Sequence, residues 1–131
     1  MSYLVDTDWI IDGIAGISNA RTTLERLSPN GLAVSIITLG ELYEGAYASD
    51  NPESRLATFQ QFLDGFVVLG LTDAIMHTFA KTRSQLRRSG NIIPDMDLLI
   101  ASTARTFDLT LLTRNIRHFE RIPHLRIYQP S

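Results

Sequence analysis

Short apolar segments alternate along the chain with longer amphipathic ones. The apolar segments are too short for helices of their own and rich in branched side chains, so we interpret them as buried parallel strands. They cover residues 3–8, 32–37, 66–69, 110–113 and 125–128. Because such runs lack a polar alternation, the pattern predicts a sheet that is covered on both faces.

The segments between these strands carry apolar residues every three or four positions, which predicts helices with one buried face. The helices cover residues 9–14, 18–27, 38–47, a segment that begins at 51–53, 72–88 and 96–107, and a helical turn covers 115–120. Strand and helix therefore alternate from end to end. This order favours an α/β fold, a three-layer α/β/α domain whose mostly parallel sheet of four to five strands has helices on both faces.

Composition places the chain among ordinary globular proteins. Its 131 residues suffice for one domain, and 44% are hydrophobic while 20% are charged. No apolar run approaches the roughly 20 residues of a membrane span, and acidic residues follow directly on the first apolar segment, so we find no signal peptide. We therefore expect a cytoplasmic protein without a membrane partner.

The chemistry open to the chain is narrowed by the absence of cysteine. Disulfides, thiol catalysis and thiolate metal sites are excluded, so any metal must be held by oxygen atoms or by the three histidines. The net charge is −2, and eleven of the twelve basic residues are arginines. Their concentration in the last part of the chain suits either a phosphate-binding surface around an acidic centre or solvated helix faces.

Four acidic or polar residues lie where one predicted element passes into the next. Asp6 ends the first strand, Glu41 lies in the first turn of the helix after the second strand, Asp97 begins the buried helix, and Asn115 follows the fourth strand. Sites in open α/β sheets form at the carboxyl ends of the strands. We therefore expect these four side chains to converge there.

Some of these positions have a purely structural alternative. Thr38 and Glu41 have the spacing of a capping box, and Asp95 is placed as the N-cap of the helix that follows it. Asp97 and Asp6 are harder to explain in this way, because a carboxylate among buried apolar residues is unfavourable without a partner.

Convergence of carboxylates implies a cation. Two carboxylates about 4 Å apart repel by about 4 kcal/mol at an effective dielectric constant near 20, so three cannot meet unless protons or metal ions neutralise them. Mg²⁺ and Mn²⁺ prefer carboxylate and water ligands and also bind phosphate. A coordinated water with a lowered pKa can attack a phosphodiester, which is the chemistry of a hydrolytic nuclease.

Four sequence blocks resemble those of a known family. Residues 4–8 (LVDTD), 35–45 (SIITLGELYEG), 93–102 (IPDMDLLIAS) and 112–119 (LTRNIRHF) resemble the signature blocks of PIN-domain nucleases. Within that family they are most similar to the VapC-type toxins of prokaryotic toxin–antitoxin pairs. The likeness covers essentially the whole chain, so we expect residues 1–131 to form a single PIN domain.

The resemblance implies an endoribonuclease that depends on Mg²⁺ or Mn²⁺. It also implies a homodimer and a cognate VapB-type antitoxin whose C-terminal segment lies across the active site, in a heterotetramer or a larger complex. Asp6, Glu41 and Asp97 match the three near-constant metal-binding acids. Asn115 matches a fourth position that is often Asp in the family, and here a water-mediated role is expected.

Further polar residues match positions around the site of the family, namely Thr7, Asp8, Ser35, Thr38 and Thr113. Asp8 stands where Asn is more usual, and it remains open whether Asp8 and Asp95 are ligands, supporting groups or helix caps. Arg114 and Arg117 are candidates for binding RNA phosphate.

Two alternatives remain open. One is a catalytically silent PIN domain that only binds a partner. The other is a haloacid dehalogenase-like phosphatase, in which Asp6 is the nucleophile and Asp8 the general acid. That chemistry also needs a lysine late in the chain, and Lys81 is poorly placed for it.

Overall fold

The computed structural model describes residues 1–130, whose four strands form one parallel sheet. The strands are β1 (Tyr3–Val5), β2 (Leu32–Ser35), β3 (Val67–Leu69) and β4 (Thr110–Leu112), in the order β3-β2-β1-β4. All neighbouring strands pair in parallel. The first strand of the sequence therefore lies inside the sheet, between β2 and β4.

The prediction of a fifth strand at residues 125–128 is wrong. Only Ile127 forms a parallel bridge, opposite Leu111, flanked by hydrogen bonds from Leu111 N to Arg126 O and from Tyr128 N to Leu111 O. The next hydrogen bond of such a ladder, from Thr113 N to Tyr128 O, is not formed among the described residues. The segment is therefore limited to one bridge beside β4.

Seven helices cover the sheet within residues 1–130. They are α1 (Thr7–Ala15), α2 (Ala20–Leu27), α3 (Ile36–Tyr47), α4 (Pro52–Phe62), α5 (Asp73–Arg88), α6 (Asp95–Thr106) and α7 (Ile116–Phe119), and a short 3₁₀ turn, Ser28–Asn30, follows α2. None of them has the length and apolar character needed to cross a lipid bilayer.

The core is divided by the sheet into two halves. Successive strand residues point to opposite faces, so Leu4 packs into one cluster with α5 and α6 residues and Val5 into another with residues of α1 to α4. Leu111 and Leu112 divide in the same way. These two clusters confirm the predicted three-layer α/β/α architecture.

Several helices begin earlier than the sequence pattern predicts. The predicted strands 3–8 and 32–37 end at Val5 and Ser35, because Asp6 and Ser35 act as helix N-caps. The caps of α4 and α5 agree with the predicted helix starts: Asn51 Oδ1 accepts from Ser54 N at 3.2 Å and Thr72 Oγ1 from Ile75 N at 3.2 Å.

Candidate active site

Asp6 occupies the centre of the carboxyl edge of the sheet. It follows β1 directly and caps α1, and its Oδ1 accepts a hydrogen bond from Thr7 N at 2.8 Å. Its second oxygen, Oδ2, accepts from Thr113 Oγ1 at 2.7 Å, and Thr113 follows the neighbouring strand β4. The residue is only 7% exposed. Both carboxylate oxygens are therefore held by residues at strand ends.

This environment disfavours a negative charge on Asp6. The pKa of Asp6 is raised to about 7, above all by burial and also by the carboxylates of Asp8 and Asp97, while the hydrogen bonds from Thr113 and Thr7 act in the opposite direction. Asp97 is therefore close enough to act electrostatically on Asp6. A cation bound here would remove the unfavourable interaction.

Glu41 reaches the site through Thr7 and not through a capping box. Thr7 Oγ1 donates to Glu41 Oε1 at 2.6 Å, and the Thr38 hydroxyl lies 3.2 Å from the same Thr7 oxygen. The predicted capping box of Thr38 and Glu41 is wrong, because Ser35 Oγ accepts from Ile37 N and so begins α3 three residues earlier. Thr38 is fully buried within the helix.

Asp97 is held by a histidine that the sequence analysis did not single out. Asp97 lies in the first turn of α6, and its Oδ2 is 2.9 Å from His118 Nδ1. The same ring nitrogen lies 2.8 Å from Asn115 Nδ2, and Asn115 N donates to Thr113 Oγ1 at 3.0 Å. The spacing of Asn115 and His118 in a predicted helical turn places both on one face, which was the available signal.

These contacts connect all four predicted site residues. The path runs from Glu41 through Thr7 to Asp6, and from Asp6 through Thr113 and Asn115 to His118 and Asp97; the residues of this path are called the acidic network. Its members come from the ends of β1 and β4, from the second turn of α3, from the first turn of α6 and from α7. All four predicted residues therefore lie along the carboxyl edge of the sheet, joined through Thr7, Thr113 and His118.

A hydrated divalent cation fits the charge of the acidic network. Asp8 Oδ1 is buried without a hydrogen-bond partner, next to the crowded carboxylate of Asp6. Within residues 1–130, no three histidine, aspartate or glutamate side chains are arranged to hold an ion directly. Since Mg²⁺-type ions commonly take one or two carboxylates and keep several waters, the donors suit an ion bound partly through water.

Asp8 supports the network from the first turn of α1. Its Oδ2 accepts from Arg114 N at 2.9 Å and lies 3.5 Å from Thr113 Oγ1, and burial raises its pKa. It is not a helix cap, because that position belongs to Asp6.

The N-cap role of Asp95 is wrong. Pro94 precedes α6 without a side-chain cap, and Asp95 is exposed at the first helical position, where it pairs with Arg83. Pro94 has the extended backbone of an N-cap residue, so Asp95 is already the first residue of the helix.

The two predicted phosphate-binding arginines differ in their contacts. The Arg114 guanidinium lies 4.1 Å from the Trp9 ring centroid and its Nε donates to Asp12 Oδ2 at 3.1 Å. Arg117 is exposed on α7, next to His118.

Comparison with known proteins identifies the family. Residues 3–125 match the family model of the PIN domain. The chain belongs to the PIN-domain family. Its relatives include the ribonuclease VapC2 of Haemophilus influenzae, 33% identical over 128 residues that make up 96% of each chain. A second relative is the tRNA(fMet)-specific endonuclease VapC of Salmonella typhimurium, 34% identical over 97% of this chain and 96% of that protein.

Solved structures of PIN-domain proteins have the same fold. The VapBC2 structure from Rickettsia felis, bound to a promoter DNA fragment, matches with a TM-score of 0.93 at 31% identity and covers 100% of both chains. The DNA-bound VapBC structure from Salmonella typhimurium matches with a TM-score of 0.90 at 30% identity, covering 98% of this chain and 97% of that one. The predicted VapC-type resemblance is confirmed.

Membership of the PIN-domain family overturns the phosphatase alternative. The geometry agrees, because Asp8 lies within helix α1 and accepts a backbone hydrogen bond from Arg114, so it is not a free general acid beside Asp6.

Proposed function

We propose that the chain is an endoribonuclease that cleaves RNA phosphodiester bonds with the help of a divalent metal ion, and that it acts as the toxin of a toxin–antitoxin pair. The observation that carries this proposal is the acidic network around the buried Asp6, which joins carboxylates from three parts of the chain. Such a cluster has no structural need of its own and is favourable only when protons or a cation neutralise it.

The relatives support RNA as the substrate and an antitoxin as the partner. Two of them are named a ribonuclease and a tRNA(fMet)-specific endonuclease, and the matching structures are VapBC assemblies. By analogy, the chain has a cognate VapB-type antitoxin. The expected homodimer, and the heterotetramer or larger complex with the antitoxin, stay predictions.

The metal in this proposal is Mg²⁺ or Mn²⁺, held by Asp6, Glu41 and Asp97, in part through water. Carboxylate oxygens and retained waters are the donors that these ions prefer. When bound, such an ion supplies a nucleophilic water at neutral pH and neutralises charge that develops on the phosphodiester.

The neighbours of the carboxylates fix their positions. Thr113 Oγ1 and Thr7 N donate to the two oxygens of Asp6, and Thr7 Oγ1 donates to one oxygen of Glu41, so both carboxylates are held in a fixed orientation. Hydrogen-bonding neighbours of metal ligands commonly contribute about 10–100-fold to metal affinity or activity. Thr7 and Thr113 therefore act as positioning residues.

Asp97 is positioned from the opposite side of the site. His118 contacts its Oδ2, and Asn115 contacts the same imidazole nitrogen. The single Nδ1 atom cannot donate to Asp97 and accept from Asn115 at the same time, so a hydrogen bond to Asp97 leaves the Asn115 amide to place a water. Arg117 projects from the same short helix and is available to a substrate phosphate.

RNA cleavage by purified variants tests the proposal. The wild-type chain should cut RNA with Mg²⁺ or Mn²⁺ and stop when EDTA removes the metal. Asp6→Asn and Asp97→Asn should each lose more than about 100-fold of the rate, because even groups outside the ligand set contribute about 10–100-fold. Asp73→Asn is the matched control, since its side chain is 94% exposed on α5.

Persistent cleavage by both Asp6→Asn and Asp97→Asn would contradict the site assignment. A well-folded wild-type chain that cuts no RNA under any of these conditions would favour the silent PIN domain.

A further inference from the structure

A polar cleft of about 470 Å³ borders the acidic network on the side of α1 and α2. Arg114 and Trp9 line it, and each is next in sequence to a residue of the site: Arg114 follows Thr113, and Trp9 follows Asp8. Arg114 N also donates to Asp8 Oδ2. The lining of the cleft is therefore joined to Asp8 and Thr113 by adjacent residues of the chain and by this backbone hydrogen bond.

Two arginines are held in this cleft by contacts that use only some of their N–H donors. One Arg26 Nη donates to the Tyr128 hydroxyl at 2.7 Å, and the Arg114 guanidinium is held by Asp12 and the Trp9 ring. Each guanidinium has five N–H donors, so most remain available to a ligand. Restrained arginines are well suited to a phosphate, because less side-chain freedom is lost on binding.

Most of the other side chains that line the cleft carry hydroxyl or amide groups. Ser18, Asn19, Thr22 and Thr23 surround the cleft. Asn19 precedes α2 but makes no side-chain cap hydrogen bond, so its amide is free to bind a ligand. Hydroxyl and amide side chains of this kind bind phosphates, sugars and base edges.

The exposed Arg114 guanidinium adds a stacking surface. It lies over the ring of Trp9, which is only 5% exposed, and the Trp9 ring meets the half-buried ring of Tyr128 edge to face at 6.2 Å. Unstacked bases of single-stranded RNA bind to arginine planes and to accessible aromatic rings, which here are Arg114 and Tyr128.

We propose that this cleft binds the segment of single-stranded RNA that flanks the scissile phosphodiester, with a backbone phosphate at Arg26 and Arg114 and a base near Asn19. The inference rests on the proposed ribonuclease function. An apolar partner fits elsewhere, because the groove of about 580 Å³ lined by Tyr43 and Tyr47 is largely apolar, whereas this cleft is cationic and rich in hydroxyl groups.

Cleavage kinetics with Arg26→Gln test the inference. Loss of one charged hydrogen bond to phosphate should raise KM about tenfold and leave kcat within about twofold. Arg26→Lys, which keeps the charge, should recover part of the loss. Arg88→Gln, which removes an exposed arginine at the far end of α5, is the matched control and should keep the wild-type KM.

Binding measured without cleavage separates this inference from the proposed function. We would use a fluorescein-labelled single-stranded RNA of about 12 nucleotides and an Asp6→Asn background. Arg26→Gln in that background should weaken binding about tenfold and reduce the slope of log K against log salt by about 0.7.

The outcomes distinguish the two claims. If the wild type cuts RNA but Arg26→Gln behaves like Arg88→Gln, the cleft inference is overturned and the ribonuclease function stands. If the wild type does not cut but RNA binding depends on Arg26, the function fails and the RNA cleft is supported. If Arg26→Gln weakens inhibition by the antitoxin and leaves KM for RNA unchanged, the cleft is a protein-binding site and the inference is overturned.

Discussion

Replacing Asp6 with asparagine should stabilise the metal-free protein at neutral pH. The change removes a buried charge while keeping the shape of the side chain and its role as a helix cap, since Asn is as good an N-cap as Asp. Asn Oδ1 can accept from Thr7 N, and its Nδ2 can donate to Thr113 Oγ1, whose proton can then turn towards Asp8 Oδ2 at 3.5 Å. Little hydrogen bonding is lost.

The size of the effect follows from the pKa of Asp6. The value rises from 3.8 to about 7 on folding, which corresponds to about 4 kcal/mol at about 1.4 kcal/mol per pH unit. The folded protein binds this proton more tightly than the unfolded chain, so the contribution of Asp6 to wild-type stability is fully present below about pH 4 and is lost as the pH rises towards 7. The Asp6→Asn variant should not show this loss of stability with rising pH.

Urea denaturation in EDTA between about pH 4 and pH 8 measures the difference. The free energy of unfolding of Asp6→Asn should exceed that of the wild type by an amount that grows with pH towards about 4 kcal/mol. A difference that does not change with pH would refute the raised pKa. Mg²⁺ at about 100 times its Kd should then stabilise only the wild type, by about 2.7 kcal/mol.

Three further substitutions test the supporting residues. Glu41→Gln should abolish RNA cleavage and keep the stability of the fold, whereas a loss of about 1 kcal/mol with activity spared would show that Glu41 serves only as the structural partner of Thr7. Ser35→Ala should lower the free energy of unfolding by about 1 kcal/mol in urea denaturation, because it removes the cap of α3, and an unchanged value would place the cap elsewhere. Thr113→Val should destabilise the protein by about 1–3 kcal/mol, because Asp6 Oδ2 and Asn115 N both lose their hydroxyl partner, and wild-type stability would contradict these hydrogen bonds.

The parallel sheet was predictable because its strands are buried on both faces. Leu4 and Val5 enter opposite halves of the core, and a strand that is apolar at every position has this property. The position of Asp6 was predictable for the same reason, since a carboxylate directly after such a strand must lie at the carboxyl edge of the sheet.

The start of α3 was harder to predict, because local signals favour two solutions. Ser35 and Thr38 are both good N-cap residues, and the apolar pair Ile36 and Ile37 between them suits either a strand or a helix. Packing decides the matter: Ile36 is 42% exposed, which a central buried strand would not allow, and Thr38 is fully buried against the site. Because α3 begins after Ser35, Glu41 lies too far along the helix for a capping box and instead accepts a hydrogen bond from Thr7.

His118 could not be assigned from its own segment. Its partner Asp97 lies 21 residues earlier, on a different helix, and only the folded arrangement of α6 and α7 brings the two together. The sequence indicates at most that His118 shares a helical face with Asn115.

The single bridge at Ile127 protects an edge of the sheet. An exposed edge strand offers unpaired N–H and C=O groups to other chains, and this can lead to aggregation. Residues 126–128 occupy those groups at Leu111. Within residues 1–130, β3 is left as the open edge, with Val67 and Val68 partly exposed. Loss of the last residues would thus open the sheet to self-association on both sides.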